Sequence, residues 1–126
     1  MTQSSETRHD FDLNPLEYDV LCAVVTKFAA DLVLFRLAKP NPSGEAAALE
    51  EVATSTALML NERRVAEPVE ILALHAIVES ISTGASDDFF AALSVDHVVP
   101  LTAARLKRIV RVIHYKLSSS GLREAA

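Results

Sequence analysis

The stretch PLEYDVLCAVVTKFAADLVLFRLA, residues 15–38, constrains this chain more than any other feature. Asn14 before it is a favoured N-cap, Pro15 suits the first helical position, and Glu17 lies near the positive end of the helix dipole. Lys39-Pro40-Asn41-Pro42 stops the helix, because a proline pushes the preceding residue out of the α region. The pattern therefore predicts one helix from about residue 14 to residue 38. Its apolar residues, including Leu16, Val20, Val24, Phe28, Leu32 and Phe35, wrap most of the circumference. A helix of that kind belongs at the centre of a bundle or in an oligomer interface. Lys27 and Asp31, four apart, are placed to pair on its surface.

The remaining prolines and glycines divide the chain into further helices. Ser43-Gly44-Glu45 opens a second over about 44–65, with Ala46, Leu49, Ala53, Thr56 and Leu60 as its core stripe. Glu67-Pro68-Val69-Glu70 opens a third, ending at Gly84 in the C′ place. It carries two apolar stripes, Ile71, Leu74, Val78 and Ile81 on one side and Val69, Leu72 and Ala76 on another, so it too is expected to be largely covered. A short fourth helix follows Ser86 over about 87–93, and a fifth runs from about Leu101 to Ser119. No alternating strand pattern occurs. The expected fold is all-α, a single-domain bundle (14–121) of four long helices and one short one, with a flexible N-terminal arm (1–13) and a frayed tail (122–126).

Composition agrees with that reading. A chain of 126 residues, half of them apolar and only three of them glycine, is the size of one domain and rich enough in apolar side chains for a core. The single cysteine, Cys22, sits among apolar neighbours, where an inert thiol is expected. The polar N-terminus is no signal peptide, and charged residues interrupt each apolar run, so a cytoplasmic protein is expected.

Charge is unevenly placed. The chain has a formal net charge of −5, yet residues 98–126 carry six Lys and Arg against Glu124 alone. Projected at about 100° per residue, the fifth helix turns Leu106, Ile109, Val110, Ile113 and Leu117 to the core. Lys107, Arg111 and His114 lie opposite. Between them runs a second strip, Leu101, Val112 and Tyr115, interleaved with Arg105, Arg108 and Lys116. Apolar residues among arginines suit a protein contact. The expected partner is an acidic protein surface or a second copy of the chain, bound through Arg105, Lys107, Arg108, Arg111, Val112, Tyr115 and Lys116. The expected function is therefore that of a non-enzymatic regulatory or adaptor-type module, and the expected state a homodimer.

Three other readings compete. In the first, the cations are internal, paired with Glu50, Glu51, Asp87 or Asp88, while Val112 and Tyr115 pack on the N-terminal arm. In the second, they meet nucleic-acid phosphates, although Pro100 interrupts the helix-turn-helix pattern and the net charge opposes approach to DNA. A membrane surface fits poorly, since the helix has no Trp or Phe anchor.

Elsewhere the chemistry is sparse. His75 and Glu79 share a face of the third helix and suit a metal or ligand only if other helices supply donors. No Glu-x-x-His or His-Glu-x-x-His pattern accompanies them, so no metal or cofactor is assigned, and a ligand- or metal-binding bundle around His75 and Glu79 stands as the second alternative function after nucleic-acid binding. Asp96-His97 reads as a turn rather than an acid–base pair, Asp87 and Asp88 as capping residues, and no nucleophile motif or glycine-rich phosphate loop occurs.

Overall fold

A computed structural model describes residues 13–38, 44–63, 66–96 and 101–118. Five helices form one all-α body: α1 (Pro15–Ala38), α2 (Gly44–Asn61), α3 (Pro68–Gly84), α4 (Asp87–Asp96) and α5 (Ala103–Lys116). Residues 1–12 of the expected arm, the expected tail, His97, Pro100 and the far end of the fifth helix fall outside the described residues, while Leu13, the last residue of that arm, packs against the core.

The helix starts follow local chemistry. At α1, the Asn14 N–H donates to Glu17 Oε1 at 3.0 Å while the Glu17 N–H donates to Asn14 Oδ1 at 2.8 Å. This reciprocal pair satisfies two donors that a helix start leaves over. At α3, the Glu67 N–H donates to Glu70 Oε1 at 2.9 Å. At α5, Thr102 is the N-cap and accepts from the Arg105 N–H at 3.1 Å. Leu101 and Leu106 then occupy the two positions of a hydrophobic staple, and both are buried. The last turn of α5 widens into a π turn at residues 117–118.

α1 packs against each of the other helices, as its all-round apolar surface requires. Val20, Leu21, Val24 and Val25 are fully buried, and Leu74, Ile77, Val78, Phe90, Leu106, Val110 and Ile113 close around them. The last turn of α1 behaves differently: Leu34, Phe35 and Leu37 are 63%, 56% and 67% exposed.

Three expectations are corrected. The second stripe of α3 is open, because Val69, Leu72 and Ala76 face away from the helices that cover Leu74 and Ile77. Leu49 is exposed, and α2 instead buries Ala57 and Met59 beside Ala53, Thr56 and Leu60. Leu101 leaves the strip on the fifth helix and enters the core; it precedes the N-cap, so a helical projection does not apply to it.

The end of α2 is tied to α1 at one atom. The Leu60 carbonyl accepts from the Arg63 N–H at 3.1 Å, the Tyr18 hydroxyl at 3.2 Å and the Cys22 thiol at 3.7 Å. Arg63 turns the chain with φ at 55°, the left-handed conformation common after a helix end. Its guanidinium lies 4.5 Å from the Tyr18 ring centre and 3.3 Å from Asp19. Burial raises the Cys22 thiol above its ordinary range, with the Asp19 charge adding and the Arg63 charge opposing. The thiol therefore stays protonated and inert at neutral pH.

Candidate functional site

α5 touches α1, α3 and α4, leaving one arc open. Arg111, Ala104, Tyr115, Arg108, Val112 and Arg105 follow one another around about 120° of its circumference. All six are exposed, Tyr115 at 71% and Val112 at 39%. Two of the seven residues assigned to a partner lie at the edges of this arc, and carboxylates of the same chain hold them. Lys107 Nζ is 3.1 Å from Asp87 Oδ1 on α4, and Lys116 Nζ is 2.8 Å from Glu17 Oε1 on α1.

The remaining cations differ. Among the described residues, no carboxylate forms an ion pair with Arg105, Arg108 or Arg111. Glu50 pairs with Arg36 instead. The structure thus divides the basic residues into two edge cations that fasten α5 and three arginines that face outward around Val112 and Tyr115. Sequence reasoning named Asp87 as an internal partner but missed Glu17, which reaches Lys116 from the far end of the chain.

The Glu17 contact is the better buried of the two, with the side chains 13% and 29% exposed. Burial by itself raises the Glu17 carboxyl, but the Lys116 hydrogen bond, the Asn14 N–H and the Lys116 charge together outweigh it. The carboxyl titrates below its ordinary value as a result. One carboxylate therefore caps α1 and clamps the last turn of α5.

A second group of polar residues lies on the edge of α5 that meets α3. His75 and Glu79 share a face, as their spacing predicts, with Nδ1 and Oε1 4.0 Å apart. The structure brings His114 of α5 to them, its ring centre 5.2 Å from that of His75. His75 Nε2 lies 2.8 Å from Ser118 Oγ, which donates to the His114 carbonyl at 2.9 Å. His114 had appeared in the sequence only as a member of the polar side of the fifth helix.

A third feature had no sequence signal. Phe28, Leu32, Phe35, Ile81 and Phe89 line an open groove of about 590 Å³ between α1 and the α3–α4 junction. Lys27 sits at its rim, paired with Asp31 at 3.3 Å and 5.3 Å above the Phe89 ring centre.

No helix among the described residues is long and apolar enough to cross a membrane. No protein-family model matches the chain, and neither the curated proteins nor the solved structures provide a match.

Proposed function

We propose that this protein is a non-enzymatic helical interaction module of the cytoplasm, regulatory or adaptor-like, that docks an acidic protein surface on α5. The observation that carries the reading is the outward arc itself. Arg105, Arg108 and Arg111 lack ion-pair partners among the described residues and surround the exposed Val112 and Tyr115. Guanidinium groups bind carboxylates through paired, charge-assisted hydrogen bonds, and the central Val112 and Tyr115 supply the apolar anchor such contacts need. Lys107 and Lys116 keep α5 in place against α4 and α1 while the arginines engage.

Self-association belongs to the same reading and has its own surface. The exposed Leu34, Phe35 and Leu37 at the end of α1 form an apolar turn suited to a second copy. A homodimer built there leaves both α5 arcs open to partners.

The alternative, nucleic acid on the same arginines, has the charge but not the geometry of a helix-turn-helix. α4 runs to Asp96 and α5 starts at Ala103, too far apart for a three- or four-residue turn. Both readings are tested with the protein and its Arg108→Glu/Arg111→Glu variant. Fluorescence anisotropy is measured against acidic helical peptides and against duplex DNA across a salt series. The proposal expects saturable peptide binding, lost in the variant, and DNA binding that is weak and collapses steeply as salt rises. Tight DNA binding at physiological salt, or peptide binding unchanged in the variant, sinks it.

A further inference from the structure

The seam between α3 and α5 contains a pair of acceptors that a neutral imidazole leaves unmatched. Ser118 Oγ has one proton and gives it to the His114 carbonyl at 2.9 Å. The same oxygen lies 2.8 Å from His75 Nε2, so it must accept a proton from that nitrogen. A neutral His75 therefore carries its hydrogen on Nε2 and turns a lone pair outward from Nδ1. Nδ1 lies 4.0 Å from Glu79 Oε1, another electron-pair donor. Two such atoms attract only through something placed between them: a proton, a water donating to both, or a bound cation. The His75 side chain is 16% exposed, so water has restricted access to it.

The third donor comes from the neighbouring helix. One donor atom each from His75, Glu79 and His114 lie within 4.8 Å of one another. The two rings are tilted by 40° rather than stacked face to face.

We propose that His75, Glu79 and His114 form a site for one borderline divalent cation of the zinc and cobalt class, linking α3 to α5. Zinc–nitrogen and zinc–oxygen bonds of about 2.0–2.2 Å place tetrahedral ligands about 3.4 Å apart. The donors, within 4.8 Å of one another, must close by up to about 1.4 Å to reach that spacing, and the Glu79 side chain, 57% exposed, is free to make its share of the movement. Two imidazoles and a carboxylate suit zinc, cobalt or nickel, whereas calcium and magnesium prefer all-oxygen sets. The Ser118 hydroxyl plays the outer role common behind metal-bound histidines, fixing the tautomer that presents Nδ1. Three protein ligands leave a fourth position to water, so the site holds its ion without enclosing it. It lies on the edge of α5 facing α3, apart from the arginine arc, and stands whether or not that arc binds a partner.

The test is calorimetric titration of the chelator-stripped full-length protein with Zn²⁺ at neutral pH, alongside Co²⁺ titration followed by visible absorption. The site expects one Zn²⁺ per chain and tetrahedral Co²⁺ bands. The single variants His75→Gln, Glu79→Gln and His114→Gln are each expected to weaken binding by at least about tenfold. Binding is expected to persist in His9→Ala/His97→Ala, which removes the other two histidines, and Ca²⁺ is expected to give no heat. The exposed Glu79 carboxylate makes Glu79→Gln informative even if a histidine variant folds poorly. A wild type that takes up no Zn²⁺, uptake unaffected by Glu79→Gln, or uptake that disappears with His9 and His97 overturns the site.

Discussion

Two seams in this bundle carry polar groups, and they follow opposite rules. Where α1 meets the end of α2, three donors converge on one acceptor, the Leu60 carbonyl. Where α3 meets α5, two acceptors, His75 Nδ1 and Glu79 Oε1, face each other at 4.0 Å. The first arrangement is complete without any outside group and serves only to hold helices together. The second, with a neutral imidazole, is complete only when a proton, a water or a cation is added between the two acceptors. Buried polar groups are normally matched, so a mismatch near the surface points to binding more directly than polarity does.

The largest expected effect breaks the matched seam. Tyr18 is 7% exposed, and Tyr18→Ala removes its ring, its hydrogen bond and the surface on which Arg63 rests. We expect a loss of about 3–5 kcal/mol in urea unfolding. Tyr18→Phe keeps the ring and loses only the bond, for about 1 kcal/mol. Equal effects from the two substitutions would show that the Leu60 carbonyl, and not packing, dominates this seam.

A second contact tests whether α5 is fastened by matched charge. Glu17→Gln should cost about 2 kcal/mol, since it removes the charge from a hydrogen-bonded, mostly buried pair with Lys116. Because the folded state holds the Glu17 carboxyl below its ordinary 4.5, this stabilisation is fully present above the unfolded value. It is lost as pH falls through the lower folded value. Wild-type stability should therefore drop on acidification below about pH 5, and Glu17→Gln should flatten part of that drop in thermal melts. An identical acid limb in the two proteins would detach Glu17 from the clamp.

Much of this architecture is legible in the sequence because it depends on neighbours along the chain. Asn14, Pro15 and Glu17 start α1 within one turn, and the all-round apolar surface of α1 sends it to the centre. What periodicity omits is how many neighbours a face receives. Val69 and Leu72 form a true stripe on α3, yet no helix among the described residues covers them. Leu101 misled for a related reason, since its place is set by the staple before the helix and not by the helical repeat. The sites were harder still. His75 and Glu79 announce a shared face through their spacing, but His114 joins them only because α3 packs on α5. Glu17 and Lys116, from opposite ends of the chain, meet only once α1 and α5 are in contact.

Arg63 offers a smaller effect within the matched seam. Its φ of 55° is costly for any residue with a Cβ, so Arg63→Gly and Arg63→Ala should lose the same contacts with Tyr18 and Asp19 but differ in backbone strain. Glycine should be the more stable of the two by about 1 kcal/mol in urea unfolding. An alanine variant as stable as glycine would mean that the turn relaxes when the guanidinium leaves.

The smallest expected effect is the sharpest test of the contrast between the seams. His75→Leu removes a half-buried polar ring of similar volume, as Tyr18→Phe removes a buried hydroxyl, and a simple count of hydrogen bonds makes both destabilising. The mismatch between His75 and Glu79 separates them. In metal-free protein, His75→Leu discards a lone pair facing a carboxylate and leaves Ser118 Oγ still donating to the His114 carbonyl. An apolar group in that place costs little, and we expect stability within about 0.5 kcal/mol of wild type. Adding Zn²⁺ should then raise the melting temperature of wild type and leave His75→Leu where it was, since only a folded state that binds the ion is stabilised by it. A loss in metal-free His75→Leu as large as that in Tyr18→Phe would mean that both seams are structural, and that His75 is held in place by its bond to Ser118 alone.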